Sequence, residues 1–333
     1  MKKRTIVIII LDVLMITFYF LAYGPISYFR ELLITTAMAT KEHKYLARTL
    51  YSEKTISKVM NDNKIELFDE NTNIDDISFE KIIEQDNYES IYEEQVLKHE
   101  QNDIYKIVNL SGNGYKGYMI VLYDASRISL EVPNTLKITG KTLTTIANEY
   151  DAIVAINAGG FADIDGASNG GTPTGTVIKN GKIVYEGVDT GWPGGLIGFN
   201  NENILVLTNT SAKEAIKEGM KDAVEFGPFL VVNGKKAIIK GNGGSGVSPR
   251  TVIAQRKDGI VLLFVIDGRQ PGYSLGISLA GLTDLVYKYG AYNAANLDGG
   301  ASTTLVVDKK LYNKPAGIGG DGQRRLPNAW IIK

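Results

Sequence analysis

The sequence predicts an α+β domain built on a mixed, curved β-sheet with packed helices, preceded by a transmembrane helix and a helical, acidic stalk. Three observations carry that prediction. After about residue 104 the apolar residues fall into short runs separated by glycine and asparagine. Strand-like runs there outnumber helical ones. Their connections vary too much for a repeating strand–helix unit, which argues against a doubly wound parallel sheet. No internal repeat is visible.

The first element is an anchor. Lys2, Lys3 and Arg4 precede Thr5 to Tyr23, a run of 19 residues whose only charge is Asp12. As a helix it would rise about 28 Å, close to the roughly 30 Å of a bilayer core. The flanking cations hold the tip in the cytoplasm and send the rest outward. Residues 1–27 are thus read as cytoplasmic tip and membrane span. Bulky Tyr23, Pro25 and Ile26 stand where a cleaved signal would carry small residues. Residues 28–103 are read as a helical segment, with Leu32, Leu33, Ala37, Leu46, Leu50, Ile56 and Val59 at three- and four-residue steps, followed by a solvated acidic stalk. From Asn61 to Gln101 thirteen Asp and Glu face three Lys.

Residues 104–333 form the third unit. Strands are expected at Tyr118–Tyr123, Ala152–Ile156, Gly194–Phe199, Ile204–Leu207, Phe229–Val232, Ile260–Ile266, Thr304–Val307 and Ala329–Lys333. Helices are expected around Leu143–Tyr150 and after Ser278, a plausible N-cap, with Gly290 at C′.

Composition narrows the chemistry. The chain has 333 residues, a net charge of −1 and no cysteine. Disulfide frameworks, thiolate zinc sites and cysteine nucleophiles are excluded, and the charge balance gives no reason to expect nucleic acid as a partner. The two histidines, His43 and His99, both lie upstream of the motif-bearing region, so a Ser–His triad or a multi-histidine metal site is not expected within it. No cofactor is required by the sequence. Aspartate-rich turns without histidine would suit only a hard cation, Ca²⁺ or Mg²⁺, and Asp163-Ile164-Asp165-Gly166 faintly resembles a calcium loop without its spacing or terminal Glu.

What remains is a set of polar turns at strand ends. Asn157-Ala158-Gly159-Gly160-Phe161 follows an apolar strand; Asp267-Gly268-Arg269 ends the most apolar strand in the chain; Asp298-Gly299-Gly300, with Ser302 beyond, repeats the arrangement. A carboxylate beside glycine places an acid or base next to N–H groups that a ligand can approach without meeting a Cβ. Each turn alone could equally be a tight bend that satisfies its own backbone. Arg250 follows the run Gly241–Pro249, read as flexible, and offers a planar fork suited to phosphoryl oxygens. Arg324 and Arg325 precede Leu326-Pro327-Asn328 and would supply a second cation on the same rim.

Six segments carry a resemblance: Asn157–Phe161, Gly227–Gly234, Pro249-Arg250-Thr251, Val265–Arg269, Asn296–Gly300 and Arg324–Asn328, in that order. Together they are similar to the phosphodiester glycosidase family over about residues 104–333. Members act on N-acetylglucosamine-1-phosphodiesters, and bacterial ones are linked to exopolysaccharide. Two positions depart from the pattern: Ala301 follows the glycine pair where Gly or Ser is common, and Gln323 stands where Glu often precedes the first arginine. The resemblance implies hydrolysis of the bond between an anomeric carbon and a phosphodiester oxygen, on a phosphosugar or glycopolymer outside the cell membrane. It implies Asp298 as first and Asp267 as second candidate for the catalytic carboxylate. Asn157, Gly159, Gly160, Arg250, Arg269, Gly299, Gly300, Ser302, Arg324 and Asn328 are the expected substrate and phosphate contacts. A phosphodiesterase cleaving P–O, or a glycan-binding or assembly protein without catalysis, are the alternatives.

Overall fold

A computed structural model of the chain describes residues 3–40, 43–79, 87–98, 104–163, 169–187, 194–318 and 320–333. Helix α1, Lys3–Tyr23, is apolar and long enough to cross a bilayer, with 6% of its apolar window buried. The helical stretch that follows is three helices, α2 Ser27–Met38, α3 Lys44–Leu50 and α4 Glu53–Asp62, packed around Ile34, Ala37, Ala47, Ile56 and Val59. Ser52 caps α4 by accepting from Thr55 N.

Seventeen strands among the described residues form three sheets, and every strand pairing in them is antiparallel. The α+β class is as the sequence predicts, but in place of one mixed sheet the described strands form three antiparallel ones, a division that strand periodicity does not encode. The largest runs β1 (Tyr105–Gly112), β2 (Tyr115–Leu122), β13 (Val261–Ile266), β12 (Arg250–Arg256), β14 (Ala291–Asn296), β10 (Phe229–Val232) and β11 (Lys235–Lys236). A second holds β16 (Lys310–Leu311), β15 (Leu305–Val307), β4 (Val154–Asn157), β17 (Ala329–Ile332) and β3 (Ile128–Glu131). The third holds β6 (Lys182–Tyr185), β5 (Val177–Lys179), β9 (Met220–Phe226), β7 (Gly195–Asn200) and β8 (Leu205–Thr208).

Strand β13 shows why the run Val261–Ile266 is apolar at every position. Val261, Leu263 and Val265 point into a core shared with the two smaller sheets, whereas Leu262, Phe264 and Ile266 point into a second core. That second core is closed by helices α5 (Ile91–Leu97) and α8 (Leu279–Lys288). A strand buried on both faces loses polar alternation, and each fully buried side chain of this size contributes about 1.5–3 kcal/mol. Helix α8 is capped as the sequence predicts, Ser278 accepting from Gly281 N and Gly290 adopting φ +79°. Helices α6 (Leu143–Glu149) and α7 (Ala212–Lys217) cover the second and third sheets.

The acidic segment is not the solvated stalk its charge suggests. Ile65 bridges to Ile239, Thr72 N donates to Leu207 O, Asn73 N donates to Asn233 Oδ1 and the Tyr292 hydroxyl donates to Asp76. Val96 and Leu97 of α5 are buried in the second core. Sparse apolar residues suffice because backbone and acids alike pair with the domain, Glu66 with Lys240 and Glu70 with Lys235 and Asn233. Residues 80–86 and 99–103, His99 among them, lie outside the described residues.

Candidate active site

Topology brings the polar turns to one rim. Strand β12 runs antiparallel to both neighbours, so its first residue lies beside their last: Arg250 pairs with Ile266, and Val252 with Asn296. The residues that leave β13 and β14, Asp267-Gly268-Arg269 and Asp298-Gly299-Gly300, therefore emerge next to Arg250. In the second sheet Ala329 pairs with Asn157, which sets Asn328 beside the end of β4. The two sheets are stapled at this corner, Asn157 Nδ2 donating to Asp298 O at 2.6 Å and Asp298 N to Ala158 O at 3.0 Å.

Within the rim, Arg269 is the centre of the charge cluster. A Cβ on Gly300 would lie 3.0–3.3 Å from its guanidinium, so the fork rests directly on the glycine. Its side chain reaches solvent, yet the surrounding walls lower its pKa by desolvation, with Arg324 lowering it further and the Asp298 carboxylate raising it. Arg269 is thus exposed at the rim, with Asp298 and Arg324 near enough to act on its charge. Arg269 also holds a left-handed backbone, φ +58°, which a non-glycine residue adopts at some cost and which is frequent at functional sites. Asp298, Gly299 and Gly300 are half-buried at the same rim.

Arg324 reaches it from the other sheet. Its guanidinium lies 4.5 Å from the Phe161 ring centroid and donates to Asp163 Oδ2 at 2.7 Å. Arg250 sits beneath, 7% exposed, with Nε donating to Ile277 O and Nη2 to Ser245 O, Ser245 Oγ and Gly246 O. Among the described residues no carboxylate pairs with it. Burial first, and the Arg269 charge second, pull its pKa down to about 10, still far above neutrality.

Several expected contacts are instead supports. Asn157 is fully buried: it holds Asp298 O, and its Oδ1 accepts from Thr251 Oγ1 and Thr304 N. Gly159 N donates to Asn328 Oδ1, and Gly300 N to Pro249 O, so neither N–H faces a ligand. Gly160 is buried against Phe226 and Thr174, and Ser302 is 2% exposed. Asn328 keeps a buried Nδ2 without a hydrogen-bond partner, as do Asn296 Oδ1 and Thr303 Oγ1.

Asp267 is the largest revision. It is 1% exposed and accepts from Asn313 Nδ2 at 2.8 Å, Lys314 N at 3.1 Å and the Tyr273 hydroxyl at 3.0 Å. Burial raises its pKa, partly offset by these donors. Asn313 Nδ2 also donates to Thr303 O, which links Asp267 to the underside of the Asp298 loop. Asp267 positions that loop and does not reach the surface at the rim. Gln323 is likewise structural, accepting from Thr144 N and Oγ1 near the start of α6 and donating to Asp321.

Sequence reasoning missed Phe161 and Asp163 as the seat of Arg324, and Asn313 as the brace of Asp267. Their only signal was position within or near the motifs. Asp163 serves an ion pair; Ile164, Asp165 and Gly166 lie outside the described residues. No group of three or more His, Cys, Asp or Glu side chains that could hold a metal occurs among the described residues.

Comparison with known proteins identifies the family of the domain. Residues 150–333, more than half of the chain, match the sequence pattern of the phosphodiester glycosidase family. The SPbeta prophage-derived protein YomE of Bacillus subtilis (strain 168) is 29% identical over 181 residues, covering 52% of this chain and 27% of that protein. Human N-acetylglucosamine-1-phosphodiester alpha-N-acetylglucosaminidase is 35% identical over 81 residues, 24% of this chain and 15% of its own length. The match thus spans about a quarter or less of either relative. The zebrafish catalytic domain of the same-named enzyme, auto-inhibited by its pro-peptide, superposes with a TM-score of 0.56 at 19% identity, covering 71% of this chain and 85% of that one. With the family pattern running through the Asn157, Arg250, Asp298 and Arg324 turns that the structure gathers at one rim, the chain belongs to the phosphodiester glycosidase family.

Proposed function

We propose that this rim hydrolyses sugar-1-phosphodiesters of the N-acetylglucosamine type, breaking the bond between the anomeric carbon and oxygen and releasing free sugar and a phosphomonoester. The observation that carries this reading is one half-buried carboxylate, Asp298, beside Arg269, whose charge also feels Arg324 and acts on Arg250. A phosphomonoester is already a good leaving group and needs positive charge rather than a strong acid. Arg269 supplies a planar fork at the rim surface, Arg324 a second, and Arg250 an unneutralised charge behind them. As the C–O bond lengthens, positive charge grows at the anomeric carbon and the departing oxygen carries the bonding pair to phosphate. Asp298 faces the growing positive charge or takes the proton of the attacking water. With Asp267 turned into its own cage, the usual rule relating carboxyl separation to stereochemistry has no second carboxylate at that position to act on.

Lys3–Tyr23 would anchor the enzyme, its preceding cations setting the domain outside the membrane, where envelope glycopolymers or their fragments are the substrate. The test is hydrolysis of UDP-N-acetylglucosamine in ¹⁸O-labelled water by the full chain. Label in free N-acetylglucosamine supports C–O cleavage. Label in a phosphate product (UDP from the sugar-side P–O bond, UMP or the sugar 1-phosphate from the bridge) identifies a phosphodiesterase, and no turnover of this or other sugar-1-phosphodiesters removes the enzymatic reading.

A further inference from the structure

The helices between the anchor and the domain are built into the site. Asn242 Nδ2 donates to Thr35 Oγ1 at 2.8 Å, and Asn242 N donates to Asn63 Oδ1 at 3.0 Å. A Cβ on Gly246 would run into Thr36, and one on Gly241 or Gly244 into Asn63. The stretch from Gly241 to Gly246 is glycine-rich because α2 and the end of α4 lie directly on it; it is not a flexible leader. The same loop offers Ser245 O, Ser245 Oγ and Gly246 O to Arg250. At the opposite end, the Tyr23 hydroxyl donates to Leu50 O and the Tyr51 hydroxyl to Ala22 O, with the two rings 5.6 Å apart, so the start of α4 is clamped to the end of α1.

Two struts therefore join the anchor to the Arg250 loop. From Ser27 to Thr36 α2 rises about 14 Å, and from Glu53 to Asn63 α4 rises about 15 Å. In the turn nearest the anchor this unit exposes Ile26, Tyr28 and Phe29 at 44–63%. Aromatic and apolar side chains next to a membrane span belong at the interface between headgroups and water. We propose that α2–α4 rests on the bilayer surface and holds the rim at a fixed, short height above it, so that the sugar phosphodiester it takes is one whose second alcohol is a membrane lipid. This rests on the glycosidase reading, and it adds the class of substrate: a headgroup presented from the same bilayer rather than a diffusing ester.

The test uses the full chain in phosphatidylcholine vesicles. N-acetylglucosamine-1-phosphodiesters of a long-chain alcohol embedded in the bilayer and of ethanol in solution are compared at equal bulk concentration. Hydrolysis of the embedded ester at least tenfold faster is expected. Equal rates, or preference for the ethyl ester, overturn the lipid assignment while leaving the glycosidase reading intact. Cleavage of neither sinks both. A separate readout follows the seat on the membrane: Phe29→Trp in vesicles of lipid brominated high on the acyl chains. Its added emission should be quenched relative to the parent protein. Unquenched emission overturns the proposed seat of α2–α4.

Discussion

Two turns in this protein look alike in sequence and differ in fate. Asp267-Gly268-Arg269 and Asp298-Gly299-Gly300 each leave a buried strand of the same sheet, one on either side of Arg250. In the first, the carboxylate folds inward onto Asn313, Tyr273 and Lys314, and it is Arg269, two residues on, that reaches the rim surface. In the second, Asp298 itself stays half-buried at the surface while its backbone is fastened to Asn157 and Ala158. The difference lies in what packs against each turn. A buried carboxylate needs donors, and the segment Asn313-Lys314 supplies two to Asp267. The lesson is that an Asp-Gly pair at a strand end specifies a bend, and its neighbours decide whether the acid serves substrate or backbone.

Breaking that comparison has its largest effect at Asp298. Asp298→Asn is expected to lower kcat/KM on UDP-N-acetylglucosamine by about 10³-fold, with the melting temperature unchanged. Asp267→Asn should keep activity within a few fold, because Asn can still accept at Oδ1 and take the Tyr273 hydroxyl as an acceptor. Steady-state kinetics on both variants decides the matter, and the reverse ranking would exchange the roles assigned here. Next in size, Arg269→Lys should cost about 10²-fold, since a point charge replaces a fork while net charge is retained. Undiminished turnover in that variant would place phosphate elsewhere.

On stability the ranking inverts. Asp267→Ala leaves Asn313 Nδ2, Lys314 N and the Tyr273 hydroxyl without their acceptor, and a loss of about 3 kcal/mol in denaturant unfolding is expected. Asp298→Ala should cost less than a third of that. Gly246→Ala, which meets Thr36 from a left-handed backbone at φ +58°, should cost about 2 kcal/mol. Full stability in Gly246→Ala would mean that α2 does not bear on the Arg250 loop.

How much of this could be read in the sequence follows from the same physics. Runs such as Val261–Ile266 and the Ser278-capped helix α8 were legible because burial and capping are local patterns. The convergence of Arg250, Arg269, Asp298 and Arg324 was legible as a set of polar strand ends. Their partners were not. Asn157 has the same amide whether it binds a ligand or holds Asp298 O, and only the antiparallel register that sets it opposite Ala329 decides. The glycines from Gly241 to Gly246 signal flexibility and close packing equally well; the helix they accommodate is some 200 residues earlier, with Asn242 and Thr35 separated by 207 positions. The acidic segment misled because charge density does not say what its acids and backbone pair with.

The smallest effect is also the most specific to the comparison. Burial holds the Asp267 pKa above its unfolded value, so the folded state binds that proton more tightly than the unfolded chain does. Its contribution to stability is therefore fully present below the unfolded pKa near 3.8 and is lost as pH rises through the folded value. Asp267→Asn carries no such proton. Measured by denaturant unfolding from about pH 4 upward, the stability of Asp267→Asn relative to the parent should rise across the folded pKa of Asp267 and then level off. The difference should not fall over that window. A fall would require the carboxylate to be stabilised in the folded state, with the Asn313, Tyr273 and Lys314 donors outweighing its burial, and Asp267 would then be a carboxylate held charged, as a catalytic one would be.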